Sequence, residues 1–368
     1  MQSITPKELA DSDDESLLIL DIRGKDKYNE WHIKGSENID VYNDIWAGNF
    51  DSVKHKLSIL PKGRNIVTVC NAGVTSQNAS MLLESMGYKT IILENGMKGW
   101  NALHKTADVV DSRDLLLKQI IRVGKGCLSY LIGSKLSKEC FIVDPSQFVE
   151  QYAGLAKELG FKIKGVIETH VHADHLSGAK TLAEIAGAGY YLSGGDSKAE
   201  ARFTDLRSTN GLKIGGVEVK VIETPGHTDG SVCLLVNNKA LLTGDTLFLE
   251  GVGRPDLERE SGEIKKGARE LFASLKKIKN LDKGIIILPA HFSGYEKFPI
   301  YEKLGALLDN NKSLRIDSEE EFVNYITGNI PMAPPNYAQI KDINKSNMLL
   351  PRQMGEQLEF GPNRCALK

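Results

Sequence analysis

Short apolar runs closed by glycine, proline or a polar turn recur along the whole chain. Leu17-Leu18-Ile19-Leu20, ahead of Asp21-Ile22-Arg23, and Asn65-Ile66-Val67-Thr68-Val69, ahead of Cys70, read as buried strands. Lys164-Gly165-Val166-Ile167-Glu168, Val217-Glu218-Val219-Lys220-Val221-Ile222, Ala240-Leu241-Leu242 and Gly284-Ile285-Ile286-Ile287-Leu288-Pro289 are of strand length too. A helix is expected from Ser76 through Met81-Leu82-Leu83. Another is expected over 265–279, where a basic outer face indicates solvent rather than a partner. No apolar run is long enough for a membrane span, and no internal repeat is visible.

The chemistry lies at the ends of the later strands. Thr169-His170-Val171-His172-Ala173-Asp174-His175 follows the first, Gly226-His227-Thr228 the second, Gly244-Asp245-Thr246 the third, and His291 follows Ala290. Five of the chain's eight histidines belong to this series, whereas a solvated polar loop would not concentrate them. Neutral imidazole and carboxylate are ligands that zinc and iron both accept. Turns permitted by glycine at successive strand ends deliver such side chains to one point, so these residues indicate a metal site.

In this order the residues resemble the metallo-β-lactamase superfamily, whose HxHxDH…H…D…H series is matched at each position. Ser129-Tyr130-Leu131-Ile132-Gly133, Phe141-Ile142-Val143-Asp144-Pro145, Gly251-Val252-Gly253-Arg254-Pro255-Asp256 and the proline-rich run 330–337 resemble its persulfide dioxygenases. The resemblance implies an αββα sandwich and one Fe(II) per chain, held by His170, His227 and Asp245, with positions open to substrate and oxygen. His172, Asp174, His175 and His291 would then surround the ligands, orient them and handle protons. Arg254 would hold its loop or touch substrate. Glyoxalase-II-type thioesterases use the same residues for two zinc ions, and ligand count alone does not choose between one metal and two.

The N-terminal strands carry a different pattern. Cys70 ends a strand, and Asn71-Ala72-Gly73-Val74-Thr75 leads into a helix. Loop N–H groups and the helix dipole would stabilise negative charge on that sulfur. Leu20-Asp21-Ile22-Arg23, His32-Ile33 with Gly35, the Cys70 loop and the run Gly87-Tyr88…Gly99-Trp100 resemble the rhodanese family, whose cysteine carries sulfane sulfur as a persulfide. Two positions depart from that family. Trp31 stands where glycine is common, and Thr75 where the loop usually carries arginine. Threonine cannot replace a bidentate anion partner, so thiosulfate is expected to be a poor donor and a thiol persulfide a better one.

The fold class expected is α/β plus α+β: a rhodanese-like parallel-sheet domain over residues 1–106, a linker at 107–115, a metallo-β-lactamase sandwich over 116–345 and a tail at 346–368. Together the resemblances imply an enzyme in which Cys70 transfers sulfane sulfur and the iron centre oxidises a small thiol persulfide, such as glutathione persulfide, with O2 to sulfite and thiol. The alternative is a dinuclear zinc thioester hydrolase with an accessory rhodanese. A sulfur-delivery partner with a structural metal is disfavoured, because a closed structural site needs four ligands and seven positions are present. Net charge is −2 with both signs interspersed, which excludes an electrostatic nucleic-acid binder. The start lacks the apolar core of a signal peptide, and five scattered cysteines suit a reducing compartment, so a cytoplasmic location is expected. The resemblance is compatible with a homodimer. Cys127, Cys140 and Cys233 read as inert packing residues. The tail keeps apolar anchors for packing, and Cys365 is not expected to reach an active site.

Overall fold

The computed structural model describes residues 2–196, 203–257, 259, 262–292, 297–333, 336–346, 348–363 and 365–367, so Pro334 and Pro335 of the proline-rich run and Arg364 of the tail lie outside it. The chain forms two compact units. One comprises residues up to Leu103 with 122–125 and 360–362, and the other 104–121, 126–359 and 363–368.

The first unit is a parallel sheet in the order Gln2–Ile4, Lys89–Leu93, Asn65–Val69, Leu17–Asp21, Glu37–Asn38. Parallel strands bury both faces. On one face Ile45, Val53, Leu57, Ala79 and Leu83 cover Leu18, Leu20 and Ile66. On the other, Leu9 and Met97 cover Val67, Val69 and Leu93. Arg23 and Asp21 form a buried two-pronged ion pair, with Nε–Oδ1 at 3.0 Å and Nη2–Oδ2 at 2.7 Å. Trp31 has a packing role: its ring meets Phe360 edge-on at 5.3 Å.

The second unit stacks two sheets with helices outside each. The first sheet runs Thr204–Asp205, Gly189–Leu192, Lys162–Ile167, Glu139–Val143, Cys127–Ser134, Leu115–Arg122, His104–Asp111. The second runs Leu212–Ile214, Val217–Glu223, Val232–Val236, Ala240–Gly244, Ile286–Pro289, Glu302–Lys303. Tyr152, Ala156, Leu182 and Ala183, from the helices Val149–Glu158 and Ala179–Ala186, bury the first sheet's Ile142, Ile163 and Val166. Helix Ile264–Lys279 lays Ala268, Leu271, Phe272, Leu275 and Ile278 on Cys233, Leu235, Leu241 and Ile287 of the second sheet.

Three expectations need correction. Residues 107–115 are not a linker, since His104–Asp111 is the edge strand of the first sheet and the next strand starts at Leu115. Ala107 and Val109 are half-buried while Thr106 and Asp108 are exposed, a period of two that a polar composition masked. The rhodanese-like unit accordingly ends at Leu103 rather than at 106. The helix after Cys70 starts at Val74, two residues before Ser76, because Gly73 takes the left-handed conformation (φ +81) that begins it.

Candidate metal centre and sulfur site

Four strand ends and one strand start meet at one edge of the second unit. The run His170–His175 leaves Lys162–Ile167, His227 follows Val217–Glu223, Asp245 follows Ala240–Gly244, and His291 follows Ile286–Pro289. Gly253 lets the strand Val252–Gly253 lie directly on the Asp245 backbone, where any Cβ would run into the Asp245 carbonyl.

His170, His227 and Asp245 each offer a ligand atom within 4.8 Å of the others, and all three are buried. Asp245 Oδ2 lies 3.5 Å from His227 Nε2 and 3.8 Å from His170 Nε2. Asp245 Oδ2 and His170 Nε2 are buried without a hydrogen-bond partner, while Asp245 Oδ1 has His291 Nδ1 at 2.7 Å. Such orphaned groups are costly unless a cation satisfies them. Two imidazoles and a carboxylate fit Fe(II) or Zn(II). Burial and neighbouring His172 hold the His170 imidazole well below its ordinary pKa, so it stays neutral and keeps its lone pair. Burial pushes the Asp245 carboxyl up, but the neighbouring histidines, His291 foremost, outweigh it and keep Asp245 ionised.

His172 stands outside this group, with Nε2 turned to Asp144 Oδ1 at 3.3 Å. Asp174, His175 and His291 form a second buried group with a residue the sequence reading placed among inert core thiols, Cys127. Cys127 Sγ is 3.4 Å from Asp174 Oδ2 and 4.0 Å from His175 Nδ1. Burial and Asp174 push this thiol's pKa up, yet His291 and His175 prevail and lower it. Cys365 also reaches this neighbourhood, contrary to expectation: it is buried against Ala173 and Leu257, and burial with the nearby Asp174 and Asp245 charges raises its thiol well above the ordinary range. The tail is folded here as the helix Arg352–Leu358 and the strand Ala366–Leu367, which pairs with Val252–Gly253. Cys140 and Cys233 do behave as core residues, pushed by burial to about 12 and about 11.

The candidate ligands are aimed by Asp144, Thr169 and Asp196, for which sequence reasoning gave no role, and by Arg254, which it did single out. Asp144 accepts the Thr169 N–H at 2.7 Å and its hydroxyl at 2.8 Å, and Thr169 Oγ1 meets His170 Nδ1 at 3.0 Å. His227 Nδ1 donates to the Arg254 carbonyl at 2.7 Å, which leaves Nε2 as the metal-facing lone pair. Asp196 joins the two ligand loops by accepting from Val171 N (2.9 Å), Thr228 Oγ1 (3.0 Å) and Gly230 N (2.6 Å). Arg254 is fully buried; it grips Asp256 with two bonds of 2.8 Å and donates to the Pro331 and Met332 carbonyls. Its guanidinium therefore holds the loop.

In the first unit, Cys70 Sγ accepts the Gly73 N–H at 3.2 Å and the Ser76 N–H at 3.4 Å, with Ser76 Oγ also at 3.4 Å. The Cys70 carbonyl accepts Met97 N–H at 2.8 Å, which fixes the base of the loop. At the missing-arginine position, Thr75 Oγ1 accepts the Trp46 indole N–H at 3.2 Å. No helix among the described residues is long and apolar enough to cross a membrane.

Residues 122–291 match the metallo-beta-lactamase superfamily and residues 5–103 the rhodanese-like domain. The chain is 31% identical over 205 residues to the probable polyketide biosynthesis zinc-dependent hydrolase BaeB of Bacillus velezensis, covering 53% of this chain and 85% of that protein. It is 30% identical over 227 residues to the mitochondrial persulfide dioxygenase ETHE1 of Homo sapiens, covering 60% and 84%. A solved metallo-beta-lactamase from Staphylococcus aureus superposes with a TM-score of 0.60 at 30% identity, over 65% of this chain and 75% of the other.

Proposed function

We propose that this chain, which belongs to the metallo-beta-lactamase superfamily and carries a rhodanese-like domain ahead of it, oxidises a small thiol persulfide and handles sulfane sulfur at Cys70. The overall change is RSSH + O2 + H2O → RSH + sulfite + two protons: the outer sulfur loses four electrons and O2 gains them. The observation that carries this reading is the composition of the converging group. It has two histidines and one carboxylate, His170, His227 and Asp245, while His172 faces Asp144. A three-residue face of that kind leaves open positions and suits non-haem iron.

Fe(II) held there would supply the electron exchange that lets O2 react with a closed-shell persulfide. The chain's own residues do the rest. Asp144, through Thr169, and the Arg254 carbonyl hold the two ligand imidazoles in a single tautomer each. His291, with Nε2 3.0 Å from Asp174 Oδ2 and Nδ1 2.7 Å from Asp245 Oδ1, stands between two carboxylates where it can hold or pass a proton beside the reacting group. Cys70 supplies or accepts the sulfur, and glutathione persulfide is the small thiol substrate we assign. The five cysteines are free and buried, which suits the cytoplasm.

A dinuclear zinc thioester hydrolase is the second reading, favoured by the additional group of Cys127, Asp174, His175 and His291. The deciding experiment follows oxygen and sulfite with anaerobically purified, Fe(II)-loaded protein and glutathione persulfide. Equal uptake of oxygen and release of sulfite are expected. No uptake by the iron form, with cleavage of a glutathione thioester by the zinc form, would transfer the assignment to the hydrolase.

A further inference from the structure

Asp174 is the carboxylate a second metal would need, since it lies among Cys127, His175 and His291. One of its oxygens is already crowded. Around Oδ2 stand His291 Nε2 at 3.0 Å, His175 Nδ1 at 3.1 Å, Cys127 Sγ at 3.4 Å and Asn363 Nδ2 at 2.7 Å. A carboxylate oxygen offers about two lone-pair directions, so four neighbours leave none free. The two imidazoles and the thiol can each turn from hydrogen-bond partner to metal ligand by losing a proton. Asn363 cannot, because its amide nitrogen only donates.

The orientation of that amide is determined by its other half. Asn363 Oδ1 accepts the Cys365 N–H at 2.8 Å, so the NH2 group must face Asp174. The residues that follow are anchored. The Cys365 carbonyl accepts the Arg254 N–H at 3.3 Å, Cys365 packs on Ala173 and Leu257, and Ala366–Leu367 pairs with Val252–Gly253. The amide is thus presented by a strand bound to the same loop whose carbonyl holds His227.

We infer that the C-terminal tail keeps this centre at one metal ion: Asn363 occupies Asp174 Oδ2 and denies the Cys127–Asp174–His175–His291 position to a second transition-metal ion. The inference rests on the single-metal reading above, and it explains how a chain that retains all seven ligand positions uses three. Asn363 is a positioning residue that acts through Asp174.

The test is metal stoichiometry in the full chain, stripped with chelator, saturated with zinc and freed of excess. Wild type should retain about one zinc per chain and Asn363→Asp about two, because the same anchored position then brings a second carboxylate to Asp174. Asn363→Ala removes the donor without adding charge and should raise uptake above wild type. Cobalt locates the added ion. Asn363→Asp should gain a thiolate-to-cobalt absorption band absent from wild type and from the Cys127→Ala/Asn363→Asp double variant. Two ions in wild type, or wild-type uptake in both folded Asn363 variants, overturns the inference, and Asn363→Ala decides alone if the aspartate variant does not fold. Oxygen uptake by the iron-loaded wild type is read separately: a single metal without uptake leaves the inference standing and removes the persulfide reading.

Discussion

At Cys70 the surroundings are donors: two backbone amides, Gly73 in the loop and Ser76 in the first turn of the helix, point at the sulfur, with the Ser76 hydroxyl beside them. At the metal centre the surroundings are acceptors, with Asp245 Oδ2 and His170 Nε2 buried and unsatisfied. The first place is shaped for a negative sulfur and the second for a cation. They also differ in construction. The sulfur cradle is one contiguous segment of seven residues, 70–76, a loop and the first turn of a helix, while the metal centre gathers side chains from separate strand ends of two sheets. A cradle made of backbone amides survives most substitutions around it. A centre made of side chains fails when any one of them is lost.

The largest effects should separate the two centres. His227→Ala removes a ligand whose other nitrogen is tied to the Arg254 carbonyl, and iron retention and oxygen uptake should fall by more than about 100-fold. Sulfur transfer from Cys70 should continue at the wild-type rate, and equal loss of both activities would abolish the division of labour. Cys70→Ser is the converse: persulfide loading of the protein, read by mass spectrometry, should vanish while a supplied persulfide is still oxidised. If oxidation stops as well, Cys70 takes part in it directly.

The difference in construction also explains what the sequence made legible. The sulfur site is contiguous, so Cys70, its loop and the Thr75 departure could all be read from a few letters. His170, His227, Asp245 and His291 were visible because each closes a strand-length apolar run. Cys127 was not, because it begins its strand. Cys127–Ser134 runs antiparallel to Glu139–Val143, which is parallel to Lys162–Ile167, so its start lies at the edge where the ligand-bearing strand ends. Only strand direction reveals that. Asn363 lies 189 residues from Asp174, and nothing in the tail's composition predicts its return. The fold itself, a parallel-sheet domain followed by a two-sheet sandwich, follows from the motifs. The supposed linker was misread because Ala107 and Val109 alternate with Thr106 and Asp108 in a polar stretch that masks an edge strand.

A smaller effect addresses specificity. Thr75→Arg would return a guanidinium to the cradle in place of the Trp46–Thr75 contact. A charge-assisted hydrogen bond contributes about 1.5–3 kcal/mol, so thiosulfate-dependent sulfur transfer should rise about tenfold or more. Transfer from glutathione persulfide should change less. No gain in a variant with native circular dichroism would mean that something other than the missing cation excludes thiosulfate.

The smallest expected effect tests whether the cradle is truly made of backbone. Ser76 meets the sulfur twice, through its N–H and through Oγ, both at 3.4 Å, and Ser76→Ala removes only the hydroxyl. The Ser76 and Gly73 amides remain, as does the helix Val74–Ser85 that begins in the cradle. One neutral hydrogen bond is worth about 1 kcal/mol, so the rate of persulfide formation on Cys70 should fall about fivefold. The alanine also fits the space, since Ser76 is fully buried in a helix and alanine favours helix. A fall of about 100-fold in a folded variant would contradict a backbone cradle and assign the hydroxyl a proton-transfer role at the sulfur. Loss at that scale would also erase the contrast with the metal centre, because both sites would then depend on a single side chain beside the reactive atom.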